Sequence, residues 1–335
     1  MKKFLTLMLA SLMMVTALAG CGDKADPAPE GDDTETEAPV EVAKELKFTT
    51  GGVQGTYFAF GTVLAGQVNK VTESNITAIE GKGSQGNIEL MAMNGAQLGF
   101  VQSDVMSYAY EGTNLFPKKV EDFSTVAALY QEQVQIVTCN PDIKTVDDLK
   151  GKNVSVGTAG SGVYYNAVDV LGAYGMDIEK DIKPQYLGFG ESAEAMKDGK
   201  IDACFVVAGA PTVAITDLST SKDTFLVSID QEHIDALIEK SPYYQATTIP
   251  ADAYGLEADT TTVAVTAVVV ARDDVSEADV YNFCSGVFEN LEDVSVAHAK
   301  GTELSLENAA SITSVPYHPG AAKYFAEKGL DVAVK

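Results

Sequence analysis

Apolar positions follow two periods along this chain, and the order in which the periods alternate repeats. Leu46, Phe48 and Thr50 alternate with polar neighbours, which predicts a strand, and Gly51-Gly52-Val53-Gln54-Gly55 breaks it. Tyr57, Phe60, Leu64 and Val68 then fall on one face of a helix. A second strand, Ile76 to Glu80, leads through Gly81-Lys82-Gly83-Ser84-Gln85-Gly86 into a helix from Asn87 that ends at the Asn94-Gly95 turn. The strand Leu98 to Val101 delivers Gln102, Ser103 and Asp104 at its end. Some 105 residues on, the order recurs. Val154 and Val156 mark a strand, Gly157-Thr158-Ala159-Gly160-Ser161-Gly162 a glycine loop, and Tyr164, Val168, Leu171 and Tyr174 a helix stripe. Gln185 to Gly188, Gly190, the helix Glu191 to Lys197, the turn Asp198-Gly199 and the strand Ile201 to Val207 complete the copy.

Strand, glycine turn and helix in succession are the grammar of a parallel α/β sheet, whose ligands bind at the carboxyl ends of the strands. Two copies predict two lobes with those edges facing across a cleft. The last third supplies the apolar strand Val263 to Ala271 and helices around Asp279 to Leu291 and Ala321 to Lys328, too little for a third sheet, so it is expected to return to the first lobe. Crossings are expected near Gln131 to Gln135 and between Gln245 and Thr262. The first lobe is then 46–130 plus 263–335, and the second 131–262.

Free amides at a helix N-terminus carry partial positive charge, and glycine admits a ligand close to them, so each loop is a candidate anion site. Thr56 and Ser161 add hydroxyls there. The same glycines also suit tight turns with no ligand, and the pattern leaves both readings open.

The N-terminal end changes the picture of where the protein works. Lys2 and Lys3 precede an apolar run, Phe4 to Ala17, too short to span a bilayer. Residues 1–20 therefore read as an export signal, and Leu18-Ala19-Gly20-Cys21 resembles a bacterial lipobox, whose cysteine is lipidated. Such acylation would tie the chain to a membrane surface outside the cytoplasm. Residues 21–45, crowded with Asp, Glu, Thr, Ala and Pro, read as a disordered acidic tether. No later stretch has the length and composition of a transmembrane helix. The formal charge of −25 becomes −27 without Lys2 and Lys3, with 21 basic against 48 acidic residues, and this argues against nucleic acid as a partner.

Several chemistries are disfavoured. Cys139, Cys204 and Cys284 form no Cys-x-x-Cys pair and have no histidine at metal-ligand spacing, so neither a metal site nor a cofactor is expected; a disulfide is permitted but not required. Gly81 to Gly86 satisfies G-x-G-x-x-G but sits on the second unit of its lobe, a weak dinucleotide signal in an exported protein. Ser84, Ser161 and Ser285 lack the nucleophile-elbow frame, and no catalytic residue is assigned. His318, before a helix at Pro319-Gly320, reads as structural. Arg272, the one arginine, sits beside Asp273 and Asp274 as a surface residue, so a bidentate clamp on a carboxylate is not expected.

Thr50-Gly51-Gly52 through Gly55-Thr56-Tyr57, Gly83-Ser84 with Asn87, Val101-Gln102-Ser103-Asp104, Gly160-Ser161-Gly162, and Pro319-Gly320-Ala321 with Tyr324 together resemble the TAXI family. These are the solute-binding receptors of tripartite ATP-independent periplasmic (TRAP) transporters. The resemblance covers Leu46 to about Leu330 and implies a two-lobed type II periplasmic-binding-protein fold, with a hinge and a central cleft that closes on a small carboxylate such as glutamate or a dicarboxylate. The implied partner is a TRAP membrane permease, and the implied ligand contacts are Gly55, Thr56, Tyr57, Ser84, Gln102 and Asp104 in one lobe and Ser161, Gly162 and Asn166 in the other. Val163 stands where the family commonly has threonine, and Phe58-Ala59 where it often has Tyr-Pro. Tyr57 is suited equally to packing and to ligand stacking, and Asp104 to capping a helix or to accepting from a ligand amino group. Two other readings stand beside this one: a receptor for an ATP-driven (ABC) importer, and an exported hydrolase or transferase using the same cleft. A sensor partner that presents its ligand to a membrane receptor kinase shares the same features.

Overall fold

The computed structural model describes residues 42–114 and 116–335. The expected signal, lipidated cysteine and nearly all of the expected tether lie outside these residues. The last tether positions are held against the fold, with the Ala43 N–H donating to Asp279 Oδ2 at 2.9 Å.

In chain order, β1 (Leu46–Thr49), α1 (Thr56–Val71), β2 (Ile76–Ile79), α2 (Ser84–Ala92), β3 (Leu98–Gln102) and α3 (Ser103–Glu111) precede the long β4 (Phe123–Thr138). Then come β5 (Asn153–Ser155), α4 (Gly162–Ala173), β6 (Lys183–Gln185), α5 (Phe189–Lys197), β7 (Ala203–Ala208), α6 (Val213–Ser219), β8 (Phe225–Val227), α7 (Gln231–Lys240) and β9 (Gln245–Ile249). The chain ends with β10 (Thr260–Arg272), α8 (Glu277–Phe288), α9 (Leu291–Ala297), α10 (Leu306–Ala309) and α11 (Pro319–Glu327).

The strands run in the order β2-β1-β3-β10-β4-β7-β5-β6, with β8 also on β4 and β9 also on β10. β1 is parallel to β2 and β3, and β5 is parallel to β6 and β7, so each copy of the repeat builds the same three-strand order. β10 lies antiparallel to β3, and β4 antiparallel to β7. The sheet is therefore mixed, and the expectation of a parallel sheet holds only within each copy. The two long strands pair antiparallel with each other from Phe123 opposite Arg272 to Gln133 opposite Ala264, and the register shifts between Thr266 and Val268 and between Val269 and Val270.

Alternation along the long strands feeds cores on both faces. Ala267, Val269 and Ala271 pack with Phe48, Phe60, Phe283 and Phe325, while Val268 and Val270 pack with Ile88, Val105 and Met106. In the other half, Ala203, Phe205 and Val207 join Val134, Val154 and Leu171, while Cys204 and Val206 join Ala193 and Ile215. β4 leaves the first core after Tyr130 and enters the second at Val134; β10 makes the same change between Ala267 and Val265. Residues of α8 and α11, from the last third, pack into the core that holds Phe48.

Four details differ from the sequence reading. α2 begins at Ser84, three residues before Asn87, and β3 runs one residue further, to Gln102, with α3 opening directly at Ser103. The buried stripe of α4 is Val163, Ala167, Val170 and Leu171, rotated from the expected one, and Val168 is exposed. Tyr164 and Tyr174 lie half-buried against the same core, and Tyr174 OH donates to Asp230 Oδ2 at 2.7 Å. Arg272 is half-buried and not a fully exposed surface residue; it pairs with Asp274, and the cleft described below is lined by other residues.

Candidate functional site

A cleft of about 1090 Å³ opens where the strand-to-helix turns of both copies meet. Four helices begin at it: α1 after Gly55, α2 after Gly83, α4 after Ser161 and α5 after Gly188. The caps of α1, α2 and α4 carry no side-chain hydrogen bond, so no side chain competes for the amide-rich first turns of three helices. At α5, Glu191 Oε2 accepts from the Gly188 N–H at 3.0 Å, which occupies that end with the chain's own carboxylate.

Of the expected contacts, Gly55, Thr56, Tyr57, Ser84, Gln102, Ser161 and Gly162 line the cleft, and Asp104 and Asn166 stand behind the lining. The Thr56 hydroxyl donates to the Gly209 carbonyl at 3.0 Å. The Tyr57 ring stacks on Phe100 at 4.5 Å, and its hydroxyl donates to Glu132 Oε2 at 2.9 Å. Ser84 Oγ accepts from the Gln102 N–H at 3.0 Å, and its hydroxyl lies within hydrogen-bonding reach of the Tyr57 hydroxyl. Asn87 does not line the cleft but frames it: its Nδ2 donates to the Thr50 and Phe100 carbonyls at 2.6 and 2.8 Å, and its Oδ1 accepts from Thr49 at 2.9 Å. This one buried side chain ties β1 and β3 to the start of α2.

The two copies touch directly behind the cleft. Gly86 N–H donates to the Gly160 carbonyl at 2.9 Å, and Gln102 Nε2 donates to Asn166 Oδ1 at 3.1 Å. Asn166 Nδ2 donates to Asp104 Oδ2 at 3.0 Å and to Tyr244 OH at 2.9 Å. Gly162 has no alternative at its position, since a Cβ there would lie 1.5 Å from Gln102 Oε1. Gly83, at φ +90°, occupies the left-handed region and faces Ser161.

Burial pushes the Asp104 carboxyl up to about 7, against the hydrogen bonds from Val105 N–H and Asn166. Burial likewise holds Glu132 well above the usual carboxylate range, opposed by the Tyr57 hydroxyl, while the nearby Asp104 raises it further. Charge at the rim is mixed: Glu80, Glu191, Glu194 and Asp198 are exposed there with Lys82 and Lys200. Glu132 and Phe189 are lining residues that the sequence reading missed. For Glu132 a signal existed, an ionisable residue in the middle of a strand that is otherwise buried almost throughout.

His318 caps α11 by accepting from the Gly320 N–H at 3.2 Å, as a structural histidine does. Among the described residues no group of three or more His, Cys, Asp or Glu is placed to hold a metal ion, and no helix is long and apolar enough to cross a membrane.

The chain belongs to the NMT1-like family, whose model matches residues 48–329. Among solved structures it is similar to the alkanesulfonate-binding protein SsuA from Xanthomonas axonopodis pv. citri, at 14% identity over 86% of this chain and 92% of that one, with a TM-score of 0.49. It is also similar to the aliphatic sulphonate binding protein SsuA from Escherichia coli, at 17% identity over 85% and 90%, with a TM-score of 0.43. An ancestral arginine-binding protein matches at 15% identity over 78% and 99%, with a TM-score of 0.47.

Proposed function

We propose that this protein is an extracytoplasmic solute-binding lipoprotein, anchored through Cys21, that captures a small carboxylate in the cleft and hands it to a membrane transporter without chemical conversion. The observation that carries the reading is the meeting of three helix N-termini with no side-chain cap at one cleft. Each presents amides and positive dipole ends to an anion, which suits a carboxylate in a chain whose one arginine lies elsewhere. Thr56, Ser84 and Ser161 add hydroxyls, and Gly55, Tyr57, Gln102 and Gly162 complete the wall. In this reading Asp104 and Asn166 latch the two lobes, 46–130 plus 263–335 and 131–262, when they close on the ligand.

The loop motifs support a TRAP permease as the recipient. The NMT1-like family match does not distinguish that recipient from an ATP-driven importer. Co-purification from membranes with a many-spanning permease or with an ATPase decides between them.

The test is a thermal-shift series with amino acids, keto acids, dicarboxylates and sulfonates. A ligand at a hundred times its Kd adds about 2.7 kcal/mol of stability. The expected outcome is stabilisation by a carboxylate with the ligand recovered unchanged. In Ser161→Phe the shift is expected to vanish while the circular dichroism spectrum stays that of the wild type. Turnover of the bound compound would instead establish an enzyme in the same cleft.

A further inference from the structure

Resting on the receptor reading above, we infer that Glu132 and Gln102 form a second subsite on the cleft floor that takes a cationic amine, so that the ligand carries an ammonium group as well as its acid. Glu132 lies in the middle of β4, close to where that strand passes from one core to the other, and is 2% exposed while lining the cleft. Its Oε2 accepts from Tyr57 OH at 2.9 Å. Gln102, also 2% exposed, lines the same cleft, and its Oε1 has no hydrogen-bond partner although it is buried. The Gln102 side chain reaches Glu132, and its Oε1 lies against Gly162, another lining residue, so the buried carboxyl and the unpartnered carbonyl oxygen sit together at the cleft floor.

The cost of burial gives the pair its preference. A carboxylate taken out of water is stable when a cation stands beside it and costly otherwise. Lys300, the cation whose charge reaches Glu132, is committed to Glu303 at 2.5 Å, and Glu303 also accepts from the Gln131 N–H at 3.1 Å. The other titratable groups facing Glu132 are Tyr57, Tyr130 and Asp104, none of which supplies a positive charge. A ligand ammonium would supply it and would donate a hydrogen bond to the unpartnered Gln102 Oε1. Tyr57 connects the two subsites: its main chain belongs to the first turn of α1, where the acid is proposed to sit, and its hydroxyl holds Glu132.

The same reasoning separates Glu132 from Asp104. Both are buried carboxyls, but both Asp104 oxygens are engaged by Val105 N–H and Asn166 Nδ2, and the residue does not line the cleft.

The test uses titration calorimetry on the full chain with compounds paired by structure: L-glutamate against glutarate and 2-oxoglutarate, 4-aminobutanoate against butanoate, and putrescine as an amine without an acid. The proposal expects the amine-bearing member of a pair to bind at least about tenfold more tightly, a difference of about 1.4 kcal/mol. Glu132→Gln, which keeps the size and an acceptor for Tyr57, is expected to erase that preference while its melting temperature stays at or above that of the wild type. Binding of putrescine that is lost in Glu132→Gln would support the subsite and overturn the carboxylate reading. Equal binding of glutarate and glutamate to the wild-type protein would overturn the subsite and leave the carboxylate reading standing. No binding of any of the compounds would overturn both. The wild-type comparison decides the matter even if Glu132→Gln does not fold.

Discussion

Asp104 carries an electrostatic cost that the fold accepts for the sake of the bond to Asn166. An unfolded aspartate titrates near 3.8, whereas burial raises this one to about 7. Below the unfolded value both states are protonated and no cost is felt. Between about 4 and about 7 the folded state holds a proton that the unfolded state has released, so stability falls as pH rises, and above about 7 the loss is complete. Chemical denaturation across this window should show a decline of about a few kcal/mol, to which Glu132 contributes in the same direction, so Asp104→Asn should reduce the slope and the double variant with Glu132→Gln should flatten it. A slope as steep in Asp104→Asn as in the wild type would mean that Asp104 is already ionised in the folded protein below about 7. Gly162 makes a second prediction at this scale. A methyl group there would meet Gln102, whose amide is pinned to Asn166, so Gly162→Ala must push the two copies apart. Ligand affinity should fall at least about tenfold while the melting temperature changes by only a few degrees, and an unchanged affinity in calorimetry would show that the contact is soft.

Among the elements, the turn from β2 into α2 depends on Asn87, whose amide bonds three groups on β1 and β3. Asn87→Ala leaves buried partners unmet and should cost roughly 3–5 kcal/mol in urea denaturation. A loss under about 1 kcal/mol would mean that water replaces the amide. The elements also show what could be read in advance. The duplication was legible because each glycine cluster punctuates a change of period, and both three-strand orders appear where the repeat placed them. The face of α4 was not legible. Tyr164, Val168, Leu171 and Tyr174 have helical spacing, yet the side that is buried is chosen by the sheet it packs on, and the half-polar tyrosines satisfy either face. The start of α2 was missed because Gly83-Ser84-Gln85-Gly86 reads as loop, and only the anchoring of Asn87 behind it makes Ser84 helical. Seven of the nine expected contacts line the cleft because loops at strand ends are local in sequence. Glu132 escaped notice because Gln131 to Gln135 reads as a polar crossing between lobes, which masked the signal of an ionisable residue inside a strand.

In the whole molecule, the antiparallel pair of β4 and β10 is the continuous link between two repeated halves, and the cleft lies where the strand ends of those halves meet. Closure as a mechanism requires the contacts behind the cleft, Gly86 with Gly160 and Gln102 with Asn166, to break and re-form. Small-angle scattering should therefore show a smaller radius of gyration with ligand than without, and Asn166→Ala, which removes one side-chain latch, should shift the ligand-free protein toward the larger value. An identical radius with and without ligand would make the cleft a rigid pocket. The measurement that tests the central claim most directly is calorimetric titration of the wild-type and Ser161→Phe proteins with the carboxylate that gives the largest thermal shift. The account predicts one site per chain in the wild type, at least a hundredfold weaker binding in the variant, and no product formed. Full-strength binding in Ser161→Phe would place the ligand elsewhere and contradict the assignment of this cleft.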